Sequence, residues 1–528
     1  MAKLIEQPYY SSIMHKPTHG TIAAGNINTA QAGIEILRNG GNAFDAAAAA
    51  VLATFVTEPT LTSAGGSGFL LAHTKENENI LFDFFSQTPR HKRTNEEINF
   101  YPIKLNFGDA VQEFHIGLGS MAVPGNMRGI FHVQQKLGRL PFKVVAEPAI
   151  HYARNGVEIN EYQSFCLNLL QEIITAPEEM RKVYAPSGKL LQLGERLFMP
   201  NFADTLSYLA EKGDREFYEG EIGKQLVKDC QAGGYLTLED LKNYQVLERK
   251  PLIINYRGNQ FLTNPPPSSG GILIAFALEL LSKVDLANMG FGTGQHLQTM
   301  SQVMRLTNVA REDRYNTNIY HSDVEKRFLS AEHIGQYESQ LRNFVNKWGS
   351  TTHISVVDAE GNAASVTTTH GEGCGYVIPG TGIMMNNMLG EEDLNPHGFH
   401  QWQENVRISS MMTPTIVLKD NQPEIVLGSG GSNRIRTAIL QVICNIIDFK
   451  MPVDAAVNSP RIHWENGVLY VEPGFSDEAK ESLLAANEQL VLWNKKNMFF
   501  GGVHTVMELA GLISGAGDDR RNGAIATC

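Results

Sequence analysis

Cysteine is scarce in this chain. Five residues, Cys166, Cys230, Cys374, Cys444 and Cys528, are scattered over 528 positions without CxxC spacing. That pattern argues against a disulfide framework and a structural zinc site, and for a reducing compartment. Long apolar runs are also missing. The most hydrophobic helical stretch, Ala46 to Val56, falls short of the ~20 residues a membrane span needs. Met1 to Ser12 is polar and lacks an apolar segment followed by a cleavage site, so no signal peptide is expected and a cytoplasmic location is the default. Positive charge is in deficit: 44 Lys and Arg against 56 Asp and Glu leave a net charge of −12, and the one short basic run is Arg90-His91-Lys92-Arg93. This argues against nucleic-acid and anionic-membrane partners. His370, His397 and His400 lack a convincing ligand set, so neither a metal nor another cofactor is expected.

What is present describes an ordinary globular protein, 42% hydrophobic and 19% charged. The length suits about three domains or one long α/β unit. The stretch Gly349 to Asp358 reads as a polar strand, and a second strand, Ala363 to Thr369, follows a short turn. Thr351, His353 and Ser355 share one face, as do Ser365, Thr367 and Thr369; Ile354, Val356, Ala364 and Val366 share the other. A three-residue turn with Gly361 in the left-handed position predicts an even register that sets Thr351 opposite Thr369. Two facing hydroxyls suit either chemistry or a simple Thr–Thr sheet pair.

Elsewhere the pattern predicts helices over Thr29–Arg38, Asn42–Val56, Phe142–Asn155, Ile272–Leu281 and Gln295–Tyr315. Strands are predicted over Phe69–His73, Ile80–Phe85, Leu252–Tyr256, Gln260–Thr263, Ile383–Asn387, Thr415–Leu418 and Glu424–Leu427. The glycine loop Ser63 to Phe69 fails as a nucleophile elbow, because Phe69 stands where GxSxG needs glycine, and as a phosphate loop, because no Gly-Lys-Ser/Thr follows. Ser268-Ser269-Gly270-Gly271 opens a helix that either holds an anion or is simply capped. Gly428 to Arg434 reads as a strand-to-helix turn, either aiming N–H groups at a developing oxyanion or merely tight. Thr317 to Ser350 turns charged and polar, the clearest shift in composition.

Taken together, Gly40 to Ala46, Ala122-Val123-Pro124-Gly125, Pro265 to Gly271, Thr351-Thr352-His353, Asn386-Asn387, Pro414 to Val417, Gly428 to Arg434 and Asp519 to Ala524 resemble the γ-glutamyltranspeptidase family over nearly the whole chain. The resemblance implies an α+β fold, the four-layer αββα sandwich of the N-terminal-nucleophile hydrolases, with two stacked, mostly antiparallel sheets between helical layers. It implies self-cleavage between Ser350 and Thr351, leaving segments 1–350 and 351–528 associated as one structural unit. Thr351 is then the nucleophile, with its own α-amine as base, Thr369 as its orienting partner and the N–H groups of Gly431 and Ser432 as the oxyanion hole. The expected substrate is a γ-glutamyl amide such as glutathione, with water or an amine as acceptor. A less polar acyl group, or a non-cleaving binding protein, are the alternatives.

The substrate shell departs from the family. The arginine that binds the α-carboxylate falls on Phe85, an asparagine on Gly371, a glutamine on Met388, and one of two serines on Met411, while Ser410 is kept. Glu391 takes the place of the acid that binds the α-amino group. Arg407 and Arg90 are candidates to replace the missing arginine.

Overall fold

The computed structural model describes residues 16–94, 97–106, 111–337, 351–395, 397–486, 489–509 and 511–528. In chain order, the elements that frame the site are β1 (Gly20–Ala24), α1 (Ile27–Arg38), α2 (Ala43–Thr57), β2 (Ser67–His73), β3 (Asn79–Phe84), α3 (Phe142–Asn155), β4 (Leu247–Arg249), β5 (Leu252–Tyr256), β6 (Asn259–Thr263), α4 (Ser269–Ser282), α5 (Gly294–Ala310), β7 (Thr352–Asp358), β8 (Ala363–Thr369), β9 (Thr415–Lys419), β10 (Gln422–Gly430), α6 (Arg434–Ile447), β11 (Gly502–Leu509), β12 (Leu512–Ala516) and β13 (Ala524–Thr527). Asn42 and Asp45 open α2 with a reciprocal capping box. Every residue of α2 is buried, as its alanine-rich, all-round apolar sequence requires.

One sheet runs β13-β1-β7-β8-β2-β3-β4 and the other β12-β11-β10-β9-β6-β5. All neighbours are antiparallel. The period-two alternation decides what each face packs against. Ile354, Val356, Ala364 and Val366 join α1, α2 and α3 in one core. Phe69, Leu71, Val357 and Ala363 join the second sheet and α4, α5 and α6 in the other. The result is helices, sheet, sheet, helices.

The central hairpin has the register its sequence predicts: Thr352 pairs with Thr368, His353 with Thr367 and Val357 with Ala363. Gly361 turns the chain at φ +91°. Three expectations are corrected. β10 extends to Gly430, because Gly428 and Gly430 continue the strand rather than leaving it. Only Ile383–Met384 of the Ile383–Asn387 run is strand; Asn386 instead uses its side chain to tie Gly65 O (2.8 Å) and Ala122 O (3.0 Å) together. α5 stops at Ala310, and Arg311–Tyr315 forms a π turn. At the start of α4 the Ser410 carbonyl accepts from Ser269 N at 2.8 Å and from Ser268 Oγ at 2.9 Å, so this N-terminus is capped from within the chain. Among the described residues no helix is long and apolar enough to cross a membrane.

Candidate active site

The site lies at the end of the first sheet where β7 begins and β8 finishes. Extending the Thr352–Thr368 pair by one step sets Thr351 beside Thr369, with both side chains on the face toward the second sheet. Both residues are buried, at 5% and 6% exposure. The Gly371 amide donates to Thr369 Oγ1 at 3.0 Å, and Ser67 is the cross-strand neighbour of Thr369 on β2. Ser350, the other half of the expected cleavage bond, lies outside the described residues.

Behind the two threonines the sheets are joined by a polar strut. Ser355 Oγ donates to His504 O at 3.0 Å, His353 Nε2 meets Ser355 Oγ at 2.9 Å, and Nδ1 meets Thr367 Oγ1 at 2.8 Å. Because Ser355 spends its proton on His504 O, Nε2 is the protonated nitrogen and Nδ1 accepts from Thr367. Burial, with His504 beside it, holds His353 well below the usual imidazole range. It is a neutral strut rather than an acid or base at the nucleophile. The sheets approach so closely here that a Cβ on Gly428 would lie 2.3 Å from His353 Cε1, and one on Gly430 would lie 2.0 Å from Thr351 O. These two strand glycines therefore let β10 approach β7, Gly428 at His353 and Gly430 at Thr351 O.

Past Gly430 the chain turns sharply. Gly431 has φ +122° and Ser432 φ +49°, a left-handed conformation that a non-glycine residue seldom adopts. Side chains hold it there. Ser432 Oγ donates to Asp393 Oδ2 through a very short hydrogen bond, and Asn433 Nδ2 reaches Glu465 Oε1 at 2.8 Å. The serine that stands where the family has its second glycine is thus anchored by its own hydroxyl. The amide N–H groups of Gly431 and Ser432 follow directly from the residue packed on Thr351 O.

Glu391 and Gly371 come together: a Cβ on Gly371 would lie 2.0 Å from both Glu391 Oε1 and Asn387 Oδ1, and its φ is +65°. Asparagine at this position would clash, so the glycine and Glu391 form one altered contact. Burial, reinforced by Glu372 and Asp393, pushes the Glu391 carboxyl well above the ordinary range. Ser410 Oγ accepts from Met412 N at 3.0 Å and its carbonyl caps α4. Phe85 is 1% exposed and stacks on Phe69, with ring centroids 5.2 Å apart. Met388 and Met411 are buried in the same core as Phe85.

Arg407 does not replace the missing arginine. Its Nη1 donates to Phe85 O at 2.5 Å, Nη2 to Gln245 O at 2.7 Å, and Nε lies 3.2 Å from Asp83 Oδ1. The guanidinium is spent on the backbone and an ion pair, which no one-dimensional reading reveals. Arg90, half-buried, donates its backbone N–H to Asp240 at 2.8 Å.

Two residues not singled out from the sequence belong here. Arg521 Nη1 donates to Thr351 O at 3.1 Å. It is placed by a fully buried network in which Asp518 binds Arg461 at 2.6 Å and Arg520 at 3.1 Å, while Arg520 binds Glu472 at 2.5 Å. Against the cost of burial, Arg461 and Arg520 hold the Asp518 carboxyl well below its usual range. The Asp519 to Ala524 run was the visible signal. Glu58, at the end of α2, accepts from Thr352 Oγ1 at 2.6 Å; a lone acid closing an apolar helix was its only trace.

A family model described as gamma-glutamyltranspeptidase matches residues 29–528. The chain is 32% identical over 527 residues to the glutathione hydrolase proenzyme of Escherichia coli (strain K12), covering 92% of this chain and 88% of that protein. It is 28% identical over 524 residues to the acylase ACY 1 proenzyme of Pseudomonas sp. (strain SE83), covering 96% and 93%. Among solved structures, cephalosporin acylase from Bacillus halodurans superposes with a TM-score of 0.85 at 25% identity, over 100% of this chain and 99% of that one. Helicobacter pylori gamma-glutamyltranspeptidase does so with a TM-score of 0.54 at 26% identity, over 64% and 95%. With the paired threonines, the glycine turn and the αββα layers all in place, this chain belongs to the γ-glutamyltranspeptidase family.

Proposed function

We propose that this chain is a self-processing γ-glutamyl amide hydrolase and transferase that works through a γ-glutamyl ester on Thr351. The observation that carries the reading is the convergence on Thr351: Thr369 is set beside it, Gly430 packs on its carbonyl, and Arg521 donates to that carbonyl. In maturation, Thr351 Oγ attacks the Ser350 carbonyl and the acyl group moves from nitrogen to oxygen. That shift frees the Thr351 α-amine; water then hydrolyses the ester, releasing the Ser350 carboxylate and restoring the Thr351 hydroxyl. The two chains stay together because β7 and β8 lie at the centre of a sheet whose other strands come from both segments.

The new α-amine has a reference pKa of roughly 8. The fixed positive charge of Arg521 disfavours its protonation and so favours the basic form. That amine takes the Thr351 hydroxyl proton as the oxygen attacks the substrate amide. Thr369, held by the hydrogen bond from the Gly371 amide to its Oγ1, orients the nucleophile. The Gly431 and Ser432 N–H groups receive the oxyanion, the tetrahedral intermediate expels its amine with the proton from the α-amine, and the ester passes to water or a second amine. Glu391 is the group for a substrate ammonium, which would restore its ionised form.

A second reading, hydrolysis of a less polar acyl amide, is favoured by Phe85, Met388 and Met411, which lie together in one buried core where the family places polar contacts. Cleaved protein assayed on glutathione and on matched γ-glutamyl and glutaryl anilides separates the two. Glutamate release supports the first reading. Turnover of the glutaryl compound alone replaces it with the second, and turnover of neither refutes both.

A further inference from the structure

Glu58 is a buried acid that the chemistry above leaves unused. It follows α2 directly, at the helix C-terminus, where a negative charge opposes the helix dipole. Helix stability therefore does not explain it. Its two oxygens are both engaged. Oε2 accepts from Thr352 Oγ1 at 2.6 Å and Oε1 from Thr29 Oγ1 at 3.0 Å, and Thr29 Oγ1 lies 2.7 Å from Thr57 Oγ1. Gly25 makes room for this contact, since a Cβ there would lie 2.4 Å from Glu58 Oε2 and 3.1 Å from Thr352 Oγ1. The charged and titratable groups that face Glu58 are Arg521, Tyr162 and Cys166.

Thr352 is the first residue of β7, and its side chain points to the helical layer, opposite to that of Thr351. When the Ser350–Thr351 bond is cut, this strand end becomes a chain terminus, and termini fray unless they are tied down. Side chains help to tie this one: Arg521 holds the Thr351 carbonyl, and Glu58 holds the Thr352 hydroxyl from the helix side. We propose that Glu58 is a positioning residue for the nucleophile, clamping the new terminus through Thr352 so that the Thr351 hydroxyl and amine stay aligned. This rests on the reading of Thr351 as nucleophile. Glu58 acts through Thr352 and touches no reacting atom.

The test compares kcat and KM per titrated active site for cleaved wild type, Thr352→Val, Thr352→Ser, Glu58→Ala and the Glu58→Ala/Thr352→Val double variant, on a γ-glutamyl anilide. Thr352→Val and Glu58→Ala are expected to lower kcat about ten-fold, with KM within about two-fold, because a small misplacement of reacting groups acts on kcat. Thr352→Ser keeps the hydroxyl and is expected near wild type. The double variant is expected to lose no more than Glu58→Ala alone, since both changes break the same Glu58–Thr352 contact. If Glu58→Ala does not fold, the valine and serine pair decides. Thr352→Val turning over like wild type overturns the inference, as does a loss confined to KM, or a lowered Tm with kcat unchanged. Wild type failing to turn over any acyl amide refutes instead the reading of Thr351.

Discussion

Replacing Glu58 by glutamine removes one titration from the folded state, and the structure gives its size. Burial pushes the Glu58 carboxyl from 4.5 up to about 7, outweighing the hydrogen bonds from Thr352 and Thr29 and the attraction of Arg521. A carboxyl raised on folding favours the fold while it is protonated. The contribution is full below pH 4.5 and is lost as the pH rises through 7. At about 1.36 kcal/mol per unit, the gap is worth about 3 kcal/mol. Glutamine cannot ionise and makes no such contribution. Urea unfolding of Glu58→Gln against its parent, both in a Thr351→Ala background that keeps the chain in one piece, reads the difference directly. The parent is expected to lose about 3 kcal/mol relative to the glutamine variant between pH 4.5 and pH 8. Parallel stability curves across that range would refute a buried, protonatable Glu58.

Three further outcomes follow from the same geometry. Arg521→Met keeps bulk but removes a charged donor from Thr351 O, a bond worth about 1.5–3 kcal/mol; kcat is expected to fall about 10- to 100-fold, measured on active-site-titrated protein. Gly371→Ala puts a Cβ 2.0 Å from two oxygens at φ +65°, so a loss of about 1–3 kcal/mol is expected, read as a lower Tm. Asp518→Asn removes the charge between Arg461 and Arg520 and is expected to destabilise by about 3–5 kcal/mol. Because the Asp518 carboxyl is held below its ordinary 3.8, its contribution is present above that pH and lost on acidification, which acid titration of wild type against the variant measures.

Local pattern carried the central hairpin. Alternation over Thr351–Asp358 and Ala363–Thr369, with Gly361 between them, left one register that buried both faces correctly. Helical spacing likewise placed α2 to within a residue at each end and all but the first two residues of α1. What stayed hidden depends on distance in the chain. Gly428 and Gly430 read as turn residues because glycine has poor strand propensity, yet here they are strand residues that admit His353 and Thr351 O. Arg407 read as a free cation because its acceptors, Phe85 O, Gln245 O and Asp83, come from separate segments. Glu58 and Arg521 meet β7 from opposite ends of the sequence, so spacing alone could not join them to Thr351. The substitutions at Phe85 and Gly371 were legible, but their consequences, a buried aromatic stack and a Glu391 contact that excludes a Cβ, needed the third dimension.

The account turns on Thr351 becoming an N-terminus by its own chemistry. A denaturing gel of purified wild type and Thr351→Ala, with N-terminal sequencing of the smaller band, measures this most directly. The expected result is two bands for wild type, the smaller beginning Thr-Thr-His-Ile-Ser, and one full-length band for Thr351→Ala. A smaller band beginning elsewhere, or cleavage of Thr351→Ala at the same bond, would contradict it.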